Sequence, residues 1–87
     1  MQLLDGLAHN KKHPDTFHIP SKEAIARLKV GSNVKLVFEN VERMWVEITS
    51  INGDNFVGTL NNVPSVVTNL SFGDEVKFQS KNIIDIF

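Results

Sequence analysis

Three histidines, His9, His13 and His18, are the residues of this 87-residue chain with the widest chemical reach. His9 and His13 are four apart, the spacing of two metal ligands on one helical face. Pro14 drives the residue before it out of the helical region, so the pair reads as part of a solvated N-terminal tail. The serines (Ser21, Ser32, Ser50, Ser65, Ser71 and Ser80) sit in cap, strand or turn settings, and none occupies a nucleophile elbow. Glu39 and Glu42 could serve as a general acid and base, but a charged, solvated turn explains them more simply. Gly31, Gly53, Gly58 and Gly73 are isolated and make no phosphate-binding loop. Cysteine is absent, which excludes disulfides and thiolate metal sites. The sequence therefore assigns no catalytic, metal or cofactor residue and predicts a domain that is not an enzyme.

The elements that would position any site are organised around Glu42 to Ile51. Met44, Val46 and Ile48 alternate with Arg43, Trp45, Glu47 and Thr49, and successive side chains of a strand point to opposite faces. The aliphatic trio predicts a core face. The only tryptophan, Trp45, then lies on the outer face between Arg43 and Glu47. Val34, Leu36 and Phe38 alternate in the same way on a preceding strand, and Phe56 and Leu60 on a following one. Asn52-Gly53 predicts a type I′ hairpin between them. Asn62-Val63-Pro64 reads as a loop in which Pro64 stiffens a turn and Asn62 takes a left-handed conformation. Glu75 to Gln79 is a further strand with Val76 and Phe78 inward, Ser80 to Asn82 a helical turn, and residues 83–87 a last strand.

Upstream, Ser21 can cap a short helix, about residues 21–29, with Ala24, Ile25 and Leu28 on one stripe. The segment Leu28 to Leu36 echoes Leu70 to Phe78: each has a turn glycine, then a strand opening on Val-Lys. The expected core is Val34, Leu36, Phe38, Met44, Val46, Ile48, Phe56, Leu60, Val76, Phe78 and Ile84. The fold class expected is mainly β with one short N-terminal helix, as a small antiparallel SH3-like barrel or strongly bent sheet, the alternative being an open α+β sheet with the helix on one face. Residues 1–15 form a tail and residues 16–87 a single domain.

The net charge of −1 is unevenly placed. Residues 1–30 carry Lys11, Lys12, Lys22, Arg27 and Lys29 against Asp5, Asp15 and Glu23, a net +2. Residues 31–87 carry Lys35, Arg43, Lys77 and Lys81 against Glu39, Glu42, Glu47, Asp54, Asp74, Glu75 and Asp85, a net −3. An acidic β domain is a poor match for phosphate backbones, which are bound by clustered Lys and Arg. No apolar run approaches a membrane span, and the first residues lack the apolar core of a signal peptide. The expected location is the cytoplasm.

From residue 13 onward the chain resembles a family of small, mostly uncharacterised bacterial domains. The resemblance rests on His13-Pro14-Asp15-Thr16-Phe17, Ile19-Pro20-Ser21, Glu42-Arg43-Met44-Trp45-Val46-Glu47, the Gly-x-Leu of Gly58-Thr59-Leu60, the Asn-x-Pro of Asn62-Val63-Pro64, and Leu70 to Val76. Some similar domains are labelled as immunity proteins against bacterial toxins, which implies a protein partner. The family pattern defines no catalytic residues.

These readings converge on a candidate interaction surface of Arg43, Trp45, Glu47, Val37, Val57, Asn62 and Pro64. Tryptophan and arginine are enriched at binding hot spots. The partner expected is an unknown protein or a second copy of the chain, with no membrane. The alternative is a small barrel that binds single-stranded nucleic acid, with Trp45 and Phe17 as stacking platforms and Lys11, Lys12, Lys22 and Lys29 on phosphates. One structural expectation decides how open the surface is: residues 17–28, apolar and unpartnered within their own segment, fold over the outer face and cover Trp45.

Overall fold

The computed structural model describes residues 2–87. Five antiparallel strands, β1 (Asn33–Phe38), β2 (Glu42–Asn52), β3 (Asn55–Leu60), β4 (Glu75–Gln79) and β5 (Asp85–Ile86), form one sheet in the order β4-β3-β2-β1-β5. Two short helices, α1 (Gly6–Lys12) and α2 (Lys22–Ala26), precede it, and a 3-10 turn (Ser80–Asn82) joins β4 to β5. The sheet is open: β4 and β5 are its edges, and closure into a barrel is not seen. The expected mainly β, antiparallel sheet is present. β2 is the longest strand and pairs with both β1 and β3, and its register with β3 shifts between Ile48 and Ser50. The extra residue at Thr49 is a bulge, a device that bends a strand and sharpens its twist.

Alternation places the core as expected. Val34, Leu36, Phe38, Met44, Val46, Ile48, Phe56, Leu60, Val76 and Phe78 are all buried in one cluster. Phe56 and Phe78 are cross-strand partners with stacked rings 5.3 Å apart. One assignment in the last apolar run changes. Ile83, not Ile84, joins this cluster. Ile84 is buried elsewhere, facing the buried Gly6 of α1, where an added Cβ would lie 3.0 Å from Ile84 Cγ2. The run Ile83-Ile84 turns out of the 3-10 turn, so simple strand parity does not apply until Asp85. Only Asp85–Ile86 pairs as strand, less than the five residues expected.

Residues 3–6 pack against the sheet and its last turn, whereas residues 11–16 are exposed, as a tail would be. Leu3 bridges Phe38, and the Leu4 N–H donates to the Val37 carbonyl. Asp5 caps α1 by accepting from the Ala8 N–H at 3.0 Å, and the small side of Gly6 lets α1 lie against the Lys81–Ile84 backbone. Helix α2 is capped by Ser21, which accepts from the Ala24 N–H at 3.1 Å. It ends at Arg27, earlier than the sequence suggests. Its Ile25, with Leu28, packs on the core cluster.

The turns differ from expectation in an instructive way. Asn52 pairs with Asn55, so the hairpin loop is Gly53-Asp54. Gly53 has φ +61°, whereas Asn52 and Asp54 do not have positive φ. Glycine at the first central position with an ordinary second residue is the type II′ pattern, not type I′. The two left-handed residues fall instead at Glu39 and Asn40, between β1 and β2, with φ 54° and 58°.

The echo between Leu28–Leu36 and Leu70–Phe78 is structural. The Ser32 N–H donates to Lys29 O, and the Asp74 N–H to Ser71 O. The Gly31 N–H donates to Ile48 O while Ile48 N–H donates to Ser32 O. In the same way Gly73 N–H donates to Leu60 O while Leu60 N–H donates to Asp74 O. The row Asn33–Glu47–Thr59–Glu75 runs straight across the sheet. β1 and β4 therefore start at one level and run in opposite directions, each launched by the same turn.

Candidate interaction surface

Trp45 stands on the face opposite the core, paired across to Lys35 of β1. Both of its backbone groups are held by the segment that follows β3: the Trp45 N–H donates to Asn62 Oδ1 at 2.5 Å, and the Asn61 N–H donates to the Trp45 carbonyl at 2.9 Å. Its indole is only partly buried. The Lys35 Nζ lies 4.7 Å from the ring centroid, within cation–π range. Phe87 meets the indole edge-on at 5.7 Å and is 92% exposed. Arg43 and Glu47, on either side of Trp45 along β2, are exposed. Asn61 Nδ2 reaches Asn33 Oδ1 at 3.2 Å, a bridge from the β3 side to β1 across the middle of β2.

Of the residues expected on this surface, the structure keeps Arg43, Trp45 and Glu47 together. Val37 shares their face but is buried at 7% exposure, beside Leu4, His9 and Phe17 in a shallow cleft that Arg43 also lines. Val57 lies on the adjacent strand β3, between Ser50 of β2 and Lys77 of β4 and away from Trp45 along the sheet. Asn62 is partly buried, is not left-handed, and spends its side-chain oxygen on the Trp45 amide. Pro64 is partly buried in the same loop. The expectation that residues 17–28 cover Trp45 fails in its main part. Ile25 and Leu28 go to the core face, while Phe17 and His18 reach the outer side, Phe17 beside Val37 and Arg43 and His18 beside Lys35 and Arg43, without lining a cleft with the indole. The physical reason is that the open core face needed a lid, and the short helix α2 with the Leu28 that follows it supplies one.

Two residues outside the expected set proved structural or site-bearing. Glu42 is not a free turn acid. Its carboxylate accepts the N–H groups of Ser65 (2.6 Å), Val66 (2.9 Å) and Val67 (2.9 Å). These bonds, Ser65's foremost, then those of Val67 and Val66, hold its pKa below the ordinary carboxylate value. They seat the loop that buries Val67. Phe87 was read only as the end of a strand, yet it is the aromatic neighbour of Trp45.

His9, His13 and Ser80 make structural contacts. The His9 and His13 rings lie 4.9 Å apart, and His9 meets Phe17 edge-on at 4.4 Å. Asp5, four residues before His9, is committed to its cap. Ser80 donates to Asp54. Among the described residues no cluster of three or more His, Asp or Glu is arranged to hold a metal, and no buried side-chain polar atom lacks a partner.

Residues 15–87 match a family described as "Uncharacterized protein conserved in bacteria (DUF2314)". The chain belongs to this family. It is also similar to a protein of Escherichia coli (strain K12) named "Uncharacterized protein YegJ", with 26% identity over 84 residues, 95% of this chain and 54% of that protein. The chain thus spans about half the length of the curated relative it matches. No solved structure matches it significantly. No helix among the described residues is long and apolar enough to cross a membrane.

Proposed function

We propose that this bacterial domain is a non-enzymatic, cytoplasmic protein-interaction module, with Trp45 as its anchor and Lys35, Arg43, Glu47 and Phe87 around it. One observation carries the reading. A partly exposed tryptophan stands on the non-core face with a cation over its ring and an exposed phenylalanine at its edge. Large aromatics backed by rigid strands and ringed by charge are the common form of an interface hot spot. The bulged β2 that serves β1 and β3 favours an SH3-like, strongly bent sheet as the underlying fold. A bacterial toxin held by an immunity-type partner is the class of target that the sequence resemblance suggests.

Single-stranded nucleic acid is the second reading, and the pairing of Trp45 and Phe87 beside Lys35 and Arg43 favours it. Glu47 and Asp85 on the same outer face weigh against it, since phosphate contacts need a basic groove. Titrating the domain with a random single-stranded oligonucleotide, followed by Trp45 fluorescence at low and moderate salt, separates the two. The interaction-module reading predicts no salt-dependent quenching. Quenching that weakens as salt rises transfers the surface to nucleic acid.

A further inference from the structure

The two sheet edges are not equivalent. At the β5 edge the strand is two residues long, and the Ile86 N–H is occupied by the Asp85 carboxylate at 2.9 Å. The β4 edge is different. The Leu60 N–H donates to Asp74 O, and Leu60 and Asp74 continue the β3–β4 register. In an antiparallel ladder, bonded and non-bonded pairs alternate. Val76 and Phe78 therefore bond inward to Gly58 and Phe56, while Glu75, Lys77 and Gln79 turn their N–H and C=O groups outward. The Gln79 N–H is capped by Asn82 Oδ1 at 2.9 Å. That leaves the main-chain groups of Glu75 and Lys77 facing outward, on a strand whose two charged side chains are exposed.

We infer that the β4 edge is a self-complementary interface through which two copies of the chain join antiparallel, β4 against β4. The charge pattern selects the occupant. A two-fold axis at Val76 sets Glu75 of one copy opposite Lys77 of the other, and Lys77 opposite Glu75. Those are the two positions whose N–H and C=O groups face outward, so each cross-strand pair gains backbone bonds and opposite charges together. The neighbouring symmetric registers, centred on Glu75 or on Lys77, put like charges face to face and are disfavoured. A generic extended peptide would find no such match. The surface needed is small, so the dimer is expected to be weak and concentration-dependent. It is independent of the Trp45 face, which lies two strands away, and its test does not depend on the proposed partner.

Sedimentation velocity of the intact chain from low micromolar to millimolar concentration reads the equilibrium. The wild type should move from monomer toward dimer. Lys77→Glu and Glu75→Lys should each stay monomeric, because each faces four like charges. Mixing those two variants should restore a dimer, since one then carries two acids and the other two lysines. The double exchange Glu75→Lys with Lys77→Glu should dimerise as the wild type does. Both side chains are exposed, and far-UV circular dichroism checks that each variant is folded. A wild type that remains monomeric throughout overturns the inference. So does a dimer that survives Lys77→Glu, or variants that stay apart when mixed.

Discussion

Gly58→Ala is expected to destabilise the domain, although alanine normally suits a strand better than glycine. Gly58 lies opposite Ile48, directly beside the bulge at Thr49. A Cβ placed there would lie 2.5 Å from the Glu47 carbonyl oxygen and 2.5 Å from Val46 Cγ1. The first obstacle is backbone in the central strand, so relief requires shifting β2 itself. Overfilling a packed site costs about 1–3 kcal/mol. Gly58 has no positive φ, so alanine also removes unfolded-state freedom and returns about 0.4–1 kcal/mol. The net expectation is a loss of about 1–2 kcal/mol. For a domain of this size that lowers Tm by about 5–15 °C. Urea unfolding followed by Trp45 fluorescence, with thermal melts by circular dichroism, measures both. An unchanged or higher midpoint would refute the idea that close backbone approach is what keeps glycine at this position.

The other stability predictions use different mechanisms. Gly53→Val should destabilise although an added Cβ meets nothing within 4 Å, because φ is +61° and a β-branched residue resists it; a neutral urea midpoint would contradict the type II′ turn. Ile48→Ala should cost roughly 2–5 kcal/mol, since Ile48 is fully buried, enough to threaten a domain of this length; a loss under about 1 kcal/mol would place Ile48 outside the core. Glu42 has a folded pKa below its ordinary value, so its contribution is complete above that ordinary value and is lost as pH falls through the folded one. The protection of the Ser65, Val66 and Val67 amides, relative to their intrinsic exchange rates, should therefore fall in acid in the wild type, and already be low near neutrality in Glu42→Gln; identical protection in both proteins would contradict the clamp.

What the sequence made legible is what a period-two pattern encodes. Met44, Val46 and Ile48 alternate because one face of β2 meets the core, and the same rule recovered Val34 to Phe38, Phe56, Leu60, Val76 and Phe78. It also placed Trp45 outside. The rule failed where the backbone leaves regular strand geometry: Ile83 and Ile84 exchange roles after a 3-10 turn, and the hairpin tip slid one residue from Asn52-Gly53 to Gly53-Asp54. Long-range side-chain bonds to backbone were invisible for another reason. Glu42 reaches residues 23 to 25 positions away and Asn62 reaches 17, and neither has a local spacing to betray it. The destination of α2 was underdetermined because both faces of the sheet offered apolar surface. The outer-face role of Phe87 depended on β5 pairing with β1, a contact between chain segments about 50 residues apart.

The most direct test compares proteins captured from the native bacterium by the immobilised wild type with those captured by Trp45→Ala, Lys35→Glu and, as a control on a distant edge, Lys77→Glu. Each variant must first keep its circular dichroism spectrum. The account predicts a specific protein retained by the wild type and by Lys77→Glu, and lost or strongly weakened with Trp45→Ala and Lys35→Glu. A partner that binds the Trp45→Ala and wild-type proteins equally would contradict the claim that this face is the interaction surface.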